Sequence, residues 1–99
     1  MEDIGTLLVK DIKYNSELMI ESVGNGDTSA SCAAMEAVRV LSQFGAKLVR
    51  NNYLTSKSLT KDLREIEESI LVVIKKKYDD SGIAQEGINE VRDLIFMLG

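Results

Sequence analysis

Apolar residues recur along this chain every three to four positions instead of alternating with polar ones, which predicts helices and no sheet. Leu63, Ile66, Ile70, Val73 and Ile74 fall on one stripe of a segment spanning about 60–78, with Arg64, Glu65, Glu68, Lys75 and Lys76 around the other side. A segment over about 82–98 repeats the pattern. There Ile83, Ala84, Ile88, Val91, Leu94, Ile95 and Leu98 share a face, and Glu86, Asn89, Glu90 and Asp93 oppose it.

A further segment, about 29–53, carries a broader apolar arc made of Ala33, Ala34, Ala37, Val38, Leu41, Phe44, Gly45, Leu48 and Val49. Met35, Ala46 and Tyr53 extend it at one margin. An arc that wide belongs to a helix touching more than one neighbour. The first segment, about 3–22, is less regular. Ile4, Leu7, Leu8, Ile12, Leu18 and Met19 define its stripe, yet Asp11 and Asn15 project near the middle of it. Either both reach water at the edge of the bundle or they are held at an interface between copies. Asp11, Asn15, Met35 and Tyr53 are the candidate oligomer-interface residues.

Turn chemistry supports the same division. Gly24-Asn25-Gly26-Asp27 stops the first helix, and Asp27, Thr28, Ser29 and Ser31 offer caps for the second. Ser56-Lys57-Ser58-Leu59-Thr60 introduces the third, which ends at Lys75-Lys76-Lys77. Asp79-Asp80-Ser81-Gly82 makes a tight connection, with Ser81 or Asp80 as the cap of the fourth. Proline is absent, so nothing interrupts these helices. The fold expected is all-α, a small antiparallel bundle of four helices in a single domain over residues 1–99, a length that can bury one modest core.

Composition then limits the chemistry. Histidine is missing altogether, which removes the commonest general base and the commonest metal ligand. The one cysteine, Cys32, cannot form an internal disulfide, and no base stands beside it in the sequence to make it a nucleophile. The stretch from Asn25 to Glu36 spaces oxygens loosely like a calcium loop but has Ala30 where the sharp turn wants glycine. Gly24-Asn25-Gly26 precedes a helix as phosphate loops do, without a preceding strand or a following Gly-Lys-Ser/Thr. No cofactor and no metal are expected, and the chain is not expected to be an enzyme.

A net charge of −4 argues against a protein that coats nucleic acid, and the basic clusters at Lys47/Arg50, Lys57/Lys61/Arg64 and Lys75–Lys77 suit solvated helix faces. The longest apolar run, Ile70 to Ile74, is too short to cross a bilayer, and no apolar stretch of signal length follows the start, so a cytoplasmic location is expected. What remains is contact with protein. Phe96 and Met97 stand off the fourth apolar stripe, Met97 beside the acidic row of Glu86, Glu90 and Asp93 and Phe96 farther round the helix, and Val72 projects among Glu65, Glu68 and Lys76. These eight residues (Glu65, Glu68, Val72, Glu86, Glu90, Asp93, Phe96 and Met97) form the candidate partner-binding set. The function expected is that of a small acidic inhibitor, immunity-protein or antitoxin type or phage-encoded blocker, gripping a larger and more basic protein. A homodimeric structural or adaptor role is the alternative, and a nucleic-acid-associated regulator comes behind it.

Overall fold

The carboxylate of Asp3 accepts the backbone N–H of Thr6 at 2.8 Å, and that cap starts the first of four helices. They are α1 (Ile4–Gly24), α2 (Thr28–Arg50), α3 (Ser58–Lys75) and α4 (Ile83–Leu98). The computed structural model describes residues 3–55, 57–76, 79 and 81–99. Among these residues all regular structure is helical. The expected end of the third helix at Tyr78, the lysine Lys77 and the candidate cap Asp80 lie outside the described residues.

The boundaries follow from local chemistry. Gly26 adopts φ 72°, its N–H donates to the Val23 carbonyl, and the N–H of Asp27 donates to that of Ser22, which closes α1 two residues beyond the expected end. The same device ends α2 earlier than expected. Asn52 sits at φ 63°, with Asn52 N–H bonded to Val49 O and Tyr53 N–H to Leu48 O, so Tyr53 lies past the helix. Of the caps offered for α2, Asp27 is used, accepting from Ala30 N–H at 3.0 Å. The cap of α4 differs from expectation. Gly82 holds the N-cap position at φ 74° without a side-chain bond, and Asp79 instead accepts from the backbone N–H groups of Ala84 and Gln85 at 2.8 and 2.9 Å.

Packing sets the arrangement. A Cβ added at Gly45 of α2 would lie 2.9 Å from a Leu8 methyl of α1 and 3.0 Å from one of Leu94 on α4, so three helices converge there. At the other end Gly87 of α4 presses on Met19 of α1, with Met35 of α2 at 4.0 Å. These two levels run α1 antiparallel to both α2 and α4, while α2 and α4 run parallel. Around the bundle the order is α1, α2, α4, α3, and α2 and α3 are diagonal. The α2–α3 link therefore crosses one end of the bundle, where Leu54 is buried against Gly5 together with Leu59. Extents of 38 × 21 × 21 Å match helices of this length lying along one axis.

One cluster of buried side chains fills the interior, with Ile12, Met19, Val38, Leu63, Ile70, Ala84, Ile88 and Val91 fully enclosed. Burying each large aliphatic side chain contributes about 1.5–3 kcal/mol. Ser16, Ser31 and Ser42 also occupy core positions. The hydroxyl of Ser31 donates to the Asp27 carbonyl at 2.7 Å.

On α1 only Leu8, Ile12 and Met19 of the expected stripe are buried. Gly5, Leu8, Val9, Ile12, Ser16, Met19 and Val23 face the core, while Ile4, Leu7 and Leu18 lie outside it with Asp11. Two small residues take buried positions to which hydrophobicity alone gives no weight: Gly5, pressed by Leu54 and Leu59, and Ser16, beside the groove between α1 and α3. On α2, Phe44 and Ala33 likewise fall outside the core, whereas Met35 is buried within it.

Candidate functional site

The acidic ridge expected on α4 is partly neutralised by its own chain. Arg39 of α2 reaches across to Glu86 at 3.3 Å and Glu90 at 3.4 Å, and it also pairs with Glu36 one turn upstream on its own helix. Glu90, Asp93 and Met97 line a shallow groove between α4 and α2 that also takes in Arg50. Phe96 is 84% exposed but off this groove. It lies one turn from Arg92, whose guanidinium binds Glu67 of α3 at 2.8 Å. Phe96 therefore flanks α3, while Met97 flanks α2.

The α3 members of the partner-binding set point elsewhere. Glu65 forms a lip of the groove between α1 and α3, facing Lys13 and Glu17, and Glu68 continues outward from it toward Arg64. Val72, half exposed, stands two turns along from Glu65 on the same flank. Since α3 borders α1 and α4 borders α2, the eight residues divide among the α1–α3, α3–α4 and α2–α4 surfaces.

A larger apolar feature lies where it was not sought. The large side chains of Ile4, Leu7, Tyr14, Leu18, Val40 and Phe44 are each between 38% and 62% exposed. On α1, positions 4, 7, 11, 14 and 18 form one stripe by helical spacing, interrupted only by Asp11. The opposite flank of α1, from Thr6 through Lys13 to Ile20, faces α3, so this stripe borders α2. On α2, Ala33, Ala37, Val40 and Phe44 follow the same logic: Ser42, Ala46 and Arg50 flank α4, which leaves the alanine and Phe44 side bordering α1. The Gly45–Leu8 approach sets Phe44 and Leu7 at the same height. The two stripes thus join into a continuous apolar face across the α1–α2 hairpin.

Three of the four residues expected at an oligomer interface lie on or beside this face. Asp11 is exposed at its centre. Asn15, half buried, donates its amide to the Asp11 carbonyl at 2.9 Å. Tyr53, 75% exposed, shares a small depression with Ile4 at the end of the bundle. Met35 is committed to the core. Among the charged groups at this end, Asp3 has its carboxyl held below the usual range, chiefly by the hydrogen bonds from Thr6. Cys32 is a free, exposed thiol on α2.

Sequence reasoning missed the face because it assigned Ile4, Leu7, Leu18 and Phe44 to the interior. The available signal was the excess itself, since both helices carry more large apolar positions than one buried stripe can hold. Arg39 was missed for another reason: its partners on α4 lie 47 and 51 residues away along the chain.

Comparison with known proteins returns no match: no family model fits the chain, and no curated protein or solved structure is significantly similar to it. The α1–α2 face has two exposed aromatics, Tyr14 and Phe44, an apolar surround and a central carboxylate, with Glu36 and Lys47 at its α2 margin. Such a surface suits contact with another apolar protein surface.

Proposed function

We propose that this chain is a non-catalytic protein-binding module that docks through the α1–α2 face and acts by occupying a partner's surface, as a small inhibitor or adaptor does. The observation that supports this reading is the gathering, among the described residues, of six of the nine large exposed apolar side chains onto one face. Scattered single apolar residues are normal on any surface, whereas contiguous ones lower their free energy by being covered. Burial of the aromatic anchors Tyr14 and Phe44 would supply the affinity. The acidic groups of α3 and α4 stand away from the contact, so they do not have to be desolvated when the face is covered.

Photo-crosslinking in the cells that make the protein tests this. A benzophenone amino acid replacing Phe44 is expected to yield a covalent polypeptide adduct on irradiation, and the same group replacing Phe96 is expected to yield none. No adduct from position 44, or equal yields from both positions, would overturn the reading.

A further inference from the structure

The geometry points to a second copy of this chain as the occupant of the α1–α2 face, an inference that rests on the protein-binding reading above. Size is the first argument. At their observed exposures, Ile4, Leu7, Tyr14, Leu18, Val40 and Phe44 present on the order of 600 Å² of mostly apolar surface. Each subunit of a standard interface contributes about 800 Å², and the exposed Ala33 and Tyr53 at the margins supply much of the difference.

Charge is the second argument. The chain carries −4 overall, so two copies meeting through most surfaces would bring acid against acid. The α1–α2 face is the exception. Its stripes hold one carboxylate, Asp11 on α1, while the α2 stripe is flanked by Lys47, one turn beyond Phe44, and by Glu36, one turn before Val40 and already paired with Arg39. Two copies therefore bring fewer like charges together here than through the acidic faces of α3 and α4.

Shape is consistent with both arguments. A two-fold axis running along the helices lays α1 of one copy over α2 of the other, so the stripe of Ile4, Leu7 and Tyr14 meets the stripe of Val40 and Phe44 in a self-complementary contact. A layer of four helices results at the centre of the dimer, with Asp11 and Lys47 at its polar positions.

Sedimentation equilibrium of the purified full chain at about 100 µM, well above the micromolar dissociation constants found at the weak end for interfaces of this size, gives the test. The expected species has twice the 10.9 kDa chain mass. Phe44→Glu and Leu7→Glu, both at exposed positions, should each weaken association by roughly thirtyfold or more while circular dichroism stays helical. Phe96→Glu, also exposed but off the face, should leave the dimer intact. A monomeric wild-type chain, a dimer that survives Phe44→Glu, or a dimer equally broken by Phe96→Glu overturns the inference. A monomer that still gives an adduct to a different protein from position 44 would sink the second copy and leave the protein-binding reading standing.

Discussion

Asp79 holds the start of α4 from outside the helix: its Oδ1 accepts the backbone N–H of Ala84 at 2.8 Å, across five residues of chain. Its other oxygen takes the N–H of Gln85 at 2.9 Å. Two of the four donors that every helix start leaves unpaired are satisfied by one carboxylate, which also carries the charge favoured at that end. Asp79→Ala should therefore lower stability by about 1–2 kcal/mol in urea unfolding. Ser81→Ala, at an exposed residue with no capping role here, should change it by under about 0.5 kcal/mol. Equal effects would show that the carboxylate is not what anchors the helix.

Two glycines in helical segments should respond in opposite ways to alanine. Gly24 has nothing within 4 Å of an added Cβ, so Gly24→Ala should stabilise by up to about 1 kcal/mol through helix propensity. At Gly45 the new methyl would meet Leu8 and Leu94 at 2.9–3.1 Å, and both leucines are packed into the core from different helices. Overpacking of this kind typically costs about 1–3 kcal/mol, more than the propensity gain returns. Thermal melts of the two variants should shift in opposite directions.

Arg39 tethers α2 to α4 through partly solvated ion pairs. Such pairs contribute little and are screened by salt, so Arg39→Met should cost less than about 1 kcal/mol in dilute buffer. The cost should shrink toward nothing near 1 M salt. A penalty that is unchanged by salt would assign the contribution to the packing of the arginine stem instead of its charge.

The cap at Asp3 gives a pH dependence with a defined sign. Its carboxyl is lowered in the folded protein, first by the backbone N–H of Thr6, and an unfolded chain has no such donor in place. The capping contribution is then complete above the ordinary Asp range and is lost as pH falls through the lowered folded value. An NMR titration should place the Asp3 midpoint below that of an aspartate in an unstructured peptide. Asp3→Asn should flatten the acid limb of the stability profile; an unchanged limb would remove Asp3 from the account.

Much of the fold was legible from the residues. The segments over 60–78 and 82–98 separate apolar from charged positions so cleanly that Leu63, Ile66, Ile70, Ile88, Val91 and Leu94 all reach the core as their spacing requires. Asp3 and Asp27 were readable as caps because their side chains bond to amides only three residues away. Where the reading slipped, a local alternative of similar cost competed. Asn52 in the left-handed region ended α2 early, and Gly82 in that region displaced the cap of α4 onto Asp79.

The interaction surface was less legible. Asp11, Asn15 and Tyr53 drew notice because polar residues interrupt an apolar stripe or extend its margin, and they fall around the α1–α2 face. The acidic set did not come together, because Glu86 and Glu90 meet Arg39 while Glu65 and Phe96 look away from one another. By itself, then, the sequence determined four helices, most of their ends and the apolar content of each, since those depend on contacts within a few residues. Which of two apolar stripes on α1 and α2 turns inward was decided only by the assembled bundle. Gly5 and Gly45 lack the bulk to keep their neighbours apart, so Leu54 and Leu59 close on the one and Leu8 and Leu94 on the other, and Leu7, Tyr14 and Phe44 are left at the surface.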